Sequence, residues 1–315
     1  MPTLCFAICT AQRPQLLSRC LSSIAGESIP TGWKILTVVV ENGAGDYAEK
    51  MVTQFNAQHG DTYYYELEPR LGIPIARNRS VVMSLKLGAD WIAFIDDDEV
   101  LVPGWLAAMT RHAESDRADV YHGPMRRVLP TTAPDWLDQE SGSSKHPPGT
   151  ELKSAATNNT LATKKIFTSN ALGLRFDETM RFTGGSDTDL FTRANSLGIR
   201  IIHVDDGVVE ETVPASRLTL KWQLQRTFRV GANSVLINKR NLGFGTTLWR
   251  TGTKTLGRML AALFVHLPMT MGSLISPPRF RRNGYKSLKN LASCLGMVSG
   301  LFGIQSQPYR KLEGE

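Results

Sequence analysis

The chain has 315 residues, 42% of them hydrophobic and 21% charged, which is typical of a folded globular protein with one large domain or two smaller ones. The net charge of +7 is concentrated in residues 250–315, which contain ten Lys or Arg against two Glu, so residues 1–249 carry a net charge of −1. A nucleic-acid-binding function for the whole chain is therefore not indicated. The cysteines lack paired metal-ligand spacing, and we expect reduced thiols in a cytosolic protein.

The first hundred residues alternate strand and helix patterns. The predicted elements in chain order are a strand at 3–9, a helix at 14–24, a strand at 34–40, a helix at 47–59, a strand at 62–67, a helix at 73–88 and a strand at 91–95. The first apolar run, residues 4–9, is too short for a signal peptide or a membrane span. This alternation predicts a parallel sheet with crossover helices.

The fourth predicted strand ends in four consecutive acids, Asp96, Asp97, Asp98 and Glu99. Clustered carboxylates after a buried strand repel one another and are costly to desolvate, so a cation is expected there. Oxygen ligands of this kind suit Mg²⁺ or Mn²⁺ holding a phosphorylated substrate. Because ligands of open α/β sheets bind at the carboxyl ends of the strands, Thr10, Glu41 and residues 96–98 are expected to converge.

The second half of the chain is less regular. Residues 130–160 are rich in Pro, Gly, Ser and Thr and predict a long loop, whereas 199–204 is predicted to be a strand and 217–230 a helix. Two apolar stretches, 256–275 and 291–304, are interrupted by charged residues, Pro or Gly. They favour interfacial helices over a transmembrane hairpin, with buried helices or a dimer contact as the alternative.

Five short segments in order carry a resemblance to a known family: 9–14, 40–43, 72–78, 94–99 and 184–190. Together they resemble family 2 glycosyltransferases of the GT-A fold, an α/β fold with a mostly parallel, Rossmann-like sheet flanked by helices. Segments 133–136, 209–217 and 222–231 are similar to bacterial polysaccharide-assembly enzymes within that family. The resemblance covers roughly residues 3–235.

The resemblance implies a domain organisation and an activity. Residues 1–235 would form the catalytic domain, with a nucleotide-binding half at 1–100 and an acceptor half at 101–235, and residues 236–315 a basic, apolar helical tail. The enzyme would move a sugar, with glucose from UDP-glucose favoured, onto a lipid-linked saccharide with inversion, using Mn²⁺ or Mg²⁺. The concentrated positive charge and the apolar stretches of the tail favour contact with a membrane surface through residues 250–305, so we expect a cytoplasmic protein that is peripheral on the inner face of the plasma membrane.

The resemblance also implies site residues. Asp98 is the expected direct metal ligand, and Asp96 is expected to contact the metal, its water or the nucleotide. Asp187 matches the acid that deprotonates the acceptor hydroxyl. The remaining expected nucleotide contacts are Thr10, Arg13, Glu41, Arg77 and Asp97.

Some positions depart from the family pattern or allow other interpretations. Ser186 replaces the usual Glu beside the base, and Asp189 remains an alternative base. Glu210 replaces a His of the close relatives, so Arg226 and Arg229 could supply positive charge over the donor or simply form a polar helix face. A nucleotidyltransferase and a non-catalytic sugar-nucleotide-binding protein are the competing functions.

Overall fold

The computed structural model describes residues 1–137, 146–272 and 277–304. The chain divides into two compact units. Unit 1 comprises Met1–Arg126, Gly142–Glu211 and Tyr309–Glu315, and unit 2 comprises Arg127–Ser141 and Thr212–Pro308.

The strands are short and lie between residues 3 and 212. In chain order they are β1 (Thr3–Thr10), β2 (Lys34–Asn42), β3 (Tyr63–Glu68), β4 (Trp91–Phe94), β5 (Glu99–Leu101), β6 (Val120–His122), β7 (Met125–Val128), β8 (Glu151–Leu152), β9 (Thr160–Thr163), β10 (Ile201–His203) and β11 (Val209–Thr212). The helices of unit 1 are α1 (Pro14–Ala25), α2 (Tyr47–His59), α3 (Ile73–Lys86), α4 (Trp105–Glu114) and α5 (Ser186–Ser196). The first seven predicted elements are confirmed to within two residues at each end.

The main sheet of unit 1 has the strand order β3-β2-β1-β4-β9-β6-β10-β8. Six of these eight strands run in one direction, whereas β9 and β8 are antiparallel to their neighbours. The predicted mostly parallel sheet is therefore confirmed. The antiparallel β9 was missed because it follows the Pro- and Gly-rich stretch that predicted a loop. A second, smaller sheet has the order β5-β11-β7.

The sheet is buried on both faces, as the continuous apolar runs of β1 and β2 predict. Alternate β1 residues contribute to separate hydrophobic clusters, with Phe6 and Ile8 in one and Cys5 and Ala7 in the other. The Phe6 ring packs on Trp105 of α4 at a centroid distance of 5.3 Å. Two-sided burial holds the strands rigidly, so the side chains at their carboxyl ends have fixed positions.

The carboxyl ends of β1, β2 and β4 form the edge where polar side chains gather. Thr10 of β1 lies in register with Glu41 of β2, and β4 flanks β1 on its other side. After β1 the chain adds β2 and β3 on one side of β1, and then crosses to add β4 on the other side. Ligands of α/β sheets bind at such a reversal of strand order.

The described residues of unit 2 after residue 219 are mostly helical. Its helices are α6 (Leu220–Leu242), α7 (Phe244–Ala261), α8 (Leu267–Gly272) and α9 (Pro277–Leu301), with a π-helical turn, Ala262–His266, between α7 and α8. The prediction of a helix ending at residue 230 was wrong, and the predicted domain boundary after residue 235 falls inside α6.

Glycines allow α6 and α9 to pack at short distance. A Cβ at Gly231 of α6 would lie 2.7 Å from the Ser293 carbonyl oxygen, and one at Gly300 of α9 would lie 2.6 Å from that of Ala232. At Gly296 a Cβ would overlap the Phe228 carbonyl oxygen. Gly231 therefore serves close helix packing and does not end the helix.

Two further expectations concern the cysteines and the apolar stretches. Cys5, Cys9, Cys20 and Cys294 are free thiols, as predicted. Within the three described ranges, no helix combines the length and the apolarity needed to cross a membrane.

Candidate active site

Asp97 is the centre of a buried polar cluster at the end of β4. Its side chain is only 6% exposed; Oδ2 accepts a hydrogen bond from Thr10 Oγ1 at 2.8 Å, and Oδ1 accepts one from Arg13 Nη1 at 3.1 Å. Burial raises the pKa of Asp97, and the Arg13 and Thr10 interactions partly offset that rise. Asp97 thus joins the ends of β1 and β4 and fixes Arg13 beside the acid cluster.

Arg13 lies in the turn between β1 and α1. Its Nη1 also approaches Asp98 Oδ2 at 3.5 Å, and its backbone N–H donates to the Tyr47 hydroxyl at 3.3 Å. Burial alone would lower the pKa of Arg13, but the neighbouring carboxylates of Asp97 and Asp98 raise it overall. A permanently charged guanidinium is therefore held beside two carboxylates, where a diphosphate could also contact it.

Arg77, on the first turns of α3, connects the acid cluster to α5. Its side chain is 12% exposed, and Nη2 lies 3.3 Å from Asp96 Oδ1. Burial would lower the pKa of Arg77, but the charges of Asp96 and then Asp187 raise it. The same guanidinium thus lies within electrostatic range of the predicted metal-site acid and the predicted base, which are 91 residues apart in sequence.

Glu41 forms a separate, buried acidic position at the end of β2. It is 1% exposed, its Oε2 accepts a hydrogen bond from the Tyr65 hydroxyl at 3.2 Å, and Oε1 has no hydrogen-bond partner. A Cβ at Gly45 would overlap Oε1, so the glycine provides the space that the carboxylate occupies. Burial raises the pKa of Glu41. An unpartnered buried carboxylate oxygen is available to a donor N–H group.

The two acids at the start of α5 differ in environment. Asp189 is 2% exposed and its Oδ2 pairs with Arg193 Nε at 2.9 Å, one helical turn away. Asp187 is half-buried, and its Oδ1 accepts the Thr188 backbone N–H at 2.7 Å. Gly184 and Gly185, at φ of 75° and 87°, allow the tight approach to the helix. The geometry therefore engages Asp189 in an internal ion pair and leaves Asp187 nearer the surface.

The sequence assigned no role to three residues of this site. Glu99 is 1% exposed and its Oε2 accepts the Asp96 backbone N–H at 2.9 Å, which fixes the turn that presents the acids. Burial, followed by the charges of Asp96 and Asp98, raises the pKa of Glu99 well above its usual range. Tyr47 and Tyr65 donate or accept hydrogen bonds at Thr10 and Glu41. Only tertiary contacts distinguish these tyrosines from others in the sequence.

Other candidates lie elsewhere. Glu210 on β11 pairs with Arg126 at 3.0 Å. In unit 2, Arg226 lies over the Trp222 ring at 5.6 Å. Trp136 stacks on Tyr285 with ring centroids 4.7 Å apart. The Trp136 ring therefore packs against another aromatic ring within unit 2.

The donor set at the end of β4 fits a divalent cation. Asp96 and Asp98 flank Asp97, and their side chains are 42% and 10% exposed. Mg²⁺ commonly takes one or two carboxylates and completes its shell with water and substrate phosphate oxygens. The described residues contain no group of three or more His, Cys, Asp or Glu arranged to hold a metal by themselves. Asp96 and Asp98 supply two carboxylates, the number that a Mg²⁺ site of this kind uses.

The chain is similar to known proteins in sequence and in fold. The model of the family "Glycosyl transferase family 2" matches residues 5–176. The succinoglycan biosynthesis protein ExoM of Rhizobium meliloti (strain 1021) is 29% identical over 301 residues, covering 95% of this chain and 92% of that protein.

Two solved structures show the same fold at low sequence identity. TarS 1–349 of S. aureus in complex with UDP-GlcNAc is 14% identical with a TM-score of 0.56, covering 96% of this chain and 93% of that one. The mannosyltransferase PcManGT of Pyrobaculum calidifontis, in complex with GDP-Man and Mn²⁺, is 16% identical with a TM-score of 0.57, covering 96% and 87%. The chain is a GT-A glycosyltransferase and belongs to glycosyl transferase family 2.

Proposed function

We propose that this protein is an inverting, metal-dependent glycosyltransferase of bacterial surface polysaccharide synthesis. It moves a sugar, with glucose from UDP-glucose as the first candidate donor, onto a lipid-linked oligosaccharide. The observation that supports the proposal is the Arg77 guanidinium, which lies 3.3 Å from Asp96 Oδ1 and also interacts electrostatically with Asp187, because it relates the candidate cation-binding acid to the candidate base. The similarity to a succinoglycan biosynthesis protein supports the polysaccharide context.

The donor is held at the carboxyl ends of β1, β2 and β4. Glu41 accepts an N–H group of the nucleotide base through its unpartnered Oε1. Arg13 and Arg77 contact the diphosphate. Their guanidinium groups lie beside Asp98 and Asp96, the acids proposed to hold the cation, and guanidinium geometry matches phosphate oxygens. Thr10 and Asp97 bond to each other and hold Arg13 in place, so both act on the donor through that arginine. Neighbouring structures with bound UDP-GlcNAc and GDP-Man support a nucleotide-sugar donor.

Asp98 and Asp96 are the residues that would hold Mn²⁺ or Mg²⁺. When bound, the cation supplies charge neutralisation for the diphosphate leaving group. The Mn²⁺ in the mannosyltransferase neighbour supports the use of a divalent cation. The chain's own contribution is the rigid turn, fixed by the hydrogen bond from the Asp96 N–H to Glu99, that keeps the two carboxylates in place.

Asp187 is the proposed base. The acceptor hydroxyl oxygen bonds to the anomeric carbon as the bond from that carbon to the diphosphate breaks, and the hydroxyl proton moves to the Asp187 carboxylate. Its Oδ1 accepts the Thr188 N–H, which leaves Oδ2 to take the proton. Asp189 is less suited to this role because burial and the Arg193 ion pair engage its carboxylate.

Nucleotide release tests the reaction class. Incubating the protein with UDP-glucose, other nucleotide sugars, Mn²⁺ and a lipid extract should release nucleoside diphosphate only when both donor and acceptor are present. Replacing Asp98 by Asn should remove the metal-dependent part of donor binding in calorimetry. Absence of release with every nucleotide sugar would contradict transferase activity, and release of pyrophosphate from a nucleoside triphosphate and a sugar phosphate would indicate a nucleotidyltransferase. Recovery of the protein with inner membranes would support the proposed cytoplasmic, peripheral location.

A further inference from the structure

Helix α7 has an exposed apolar surface. Its members are 45% to 74% exposed; we call this surface the apolar face of α7, and it comprises Leu248, Trp249, Leu256, Met259 and Leu260. At 3.6 residues per turn these positions fall within about 120° of the helix circumference. Leu263, 54% exposed in the turn that follows, continues the row. Contiguous apolar surface of this kind marks a site of interaction.

A second face of α7 is basic. Arg250, Lys254 and Arg258 follow one another at intervals of four residues and are all exposed. Their spacing aligns them along one side of the helix, roughly opposite the apolar face. A helix with Lys or Arg on its polar side and Trp or Leu on the other side resembles the helices that lie at the surface of a bilayer.

The third face of α7 is polar and buried. Thr247 and Thr251 are 0% and 3% exposed, and Thr255 Oγ1 is buried without a hydrogen-bond partner. This side packs on α9, where Cys294 Sγ approaches the Thr255 carbonyl oxygen at 3.7 Å. Helices at the surface of a water-soluble protein normally bury apolar side chains and expose polar ones. In α7 the threonines point inward and Leu, Trp and Met point outward, which favours an apolar environment outside.

Charge determines which apolar environment fits. The segment Thr212–Pro308 contains fourteen Lys or Arg and no Asp or Glu. Pairing this segment with a second copy of itself would bring like charges together, whereas anionic lipid headgroups would attract it. We propose that the apolar face of α7 docks on the surface of a bilayer rich in anionic lipid, which attracts the positive charge of this segment.

This docking surface deepens the proposed function, because a lipid-linked acceptor presents its saccharide at the same surface. It rests on contacts within unit 2 and on the sequence, and none of its residues belongs to the candidate active site. Vesicle binding and donor binding can therefore fail independently of each other.

Vesicle co-sedimentation tests the proposal directly. The full-length protein should sediment with vesicles of about 30% phosphatidylglycerol in phosphatidylcholine and remain in solution with phosphatidylcholine alone. Triple replacement of Trp249, Leu256 and Leu260 by Ser should reduce partitioning at least about tenfold, because each apolar side chain inserted contributes to binding. Triple replacement of Arg250, Lys254 and Arg258 by Gln should reduce partitioning and weaken its salt dependence, because three of the fourteen positive charges of this segment are removed.

Matched controls come from unit 1. Ile29, Leu67 and Leu197 are 63%, 42% and 57% exposed, and their replacement by Ser should leave sedimentation unchanged. Replacement of exposed Lys34, Lys86 and Arg117 by Gln controls for the loss of three positive charges. Trp249→Phe should still sediment but should lose the fluorescence quenching that brominated lipid causes in the wild type.

Several outcomes would overturn the proposal. Equal sedimentation with neutral and anionic vesicles would exclude the role of charge, and wild-type sedimentation of folded apolar-face variants would exclude the face. Concentration-dependent dimerisation without vesicles, abolished by the same Ser substitutions and accompanied by no vesicle binding, would assign the face to a second copy. Calorimetric donor binding by the α7 variants, measured in parallel, separates these results from failure of the active-site assignment.

Discussion

In unit 1 the buried strands carry Phe6, Ile8 and Val39, and the buried Asp97 at their carboxyl ends is paired with Thr10 and Arg13. In unit 2 the interior between helices contains Thr247, Thr251, Asn283 and Ser293, together with glycines that allow backbones to meet. The outer surface of unit 2 exposes Leu, Trp and Phe side chains along α7 and α9. Unit 2 also buries apolar residues, such as Val235 and Met297, but its buried set includes more polar residues from helices and its surface exposes more apolar ones than that of unit 1.

The comparison explains where the chemistry lies. A rigid apolar sheet can hold several charges at one edge because each buried carboxylate meets a donor there. The helices of unit 2 instead pack through close approach of their backbones, and they expose the apolar face of α7.

The first prediction concerns the contact of α6 with α9. Gly296→Ala should destabilise unit 2 by at least about 3 kcal/mol, because the added Cβ overlaps the Phe228 carbonyl oxygen and the backbones must separate. Gly284→Ala on the same helix is the control: the nearest atom would be Thr270 Cγ2 at 3.9 Å, so stability should rise by up to about 1 kcal/mol. Hydrogen exchange of α6 and α9 measures both. Equal protection in the two variants would show that close packing does not hold unit 2 together.

The second prediction concerns acid lability of unit 1. Burial, then the charges of His203 and His146, lowers the pKa of His122 on β6 to about 4 from the usual 6.5. Between these pH values the unfolded chain binds the additional proton, so stability falls as pH drops from 6.5 to 4, by roughly 3 kcal/mol for this group alone.

His122→Asn keeps a polar partner for Thr160 Oγ1, which His122 Nδ1 contacts at 2.8 Å, and should flatten the pH dependence of urea unfolding. The exposed His59→Asn should leave that dependence as in the wild type. An unchanged slope in His122→Asn would mean that other groups govern acid unfolding.

The third and smallest prediction compares two threonines on the buried face of α7. Thr247 Oγ1 donates to the Gly243 carbonyl oxygen at 2.7 Å, so Thr247→Val should cost about 1 kcal/mol. Thr255 Oγ1 has no partner, so Thr255→Val should be neutral or stabilising by up to about 1 kcal/mol. Thermal unfolding of the two variants gives the comparison. Equal losses would indicate that Thr255 is satisfied in solution.

Sequence periodicity predicted most of the first half of unit 1, because its strands are buried on both faces and its helices are amphipathic. The polar site after β4 was also predictable, because clustered carboxylates at the end of a buried strand are costly unless cations or hydrogen-bond donors meet them. The continuation of α6 beyond Val230 was not predictable, because Gly231 is explained only by the approach of Ser293 on α9. Long-range contacts of this kind leave no local signal.

The candidate site shows the same division. Strand ends and motif order indicated Thr10, Glu41 and the acids, but the burial of Asp97 against Arg13 depends on residues 84 positions apart in the chain. Sequence reasoning left Asp187 and Asp189 as alternative bases. Their environments differ because Asp189 forms an ion pair with Arg193. The i, i+4 spacing permits this pair, but the sequence alone does not show that it forms.

The most direct test of the proposed mechanism compares Asp187→Asn with Asp189→Asn. Each variant is assayed for donor binding by calorimetry and for sugar transfer under single-turnover conditions. We predict that Asp187→Asn binds donor like the wild type and loses at least about a hundredfold in transfer rate. Asp189→Asn should lower the melting temperature and retain transfer in the folded fraction. Full transfer by Asp187→Asn, with loss of transfer confined to Asp189→Asn, would contradict the account.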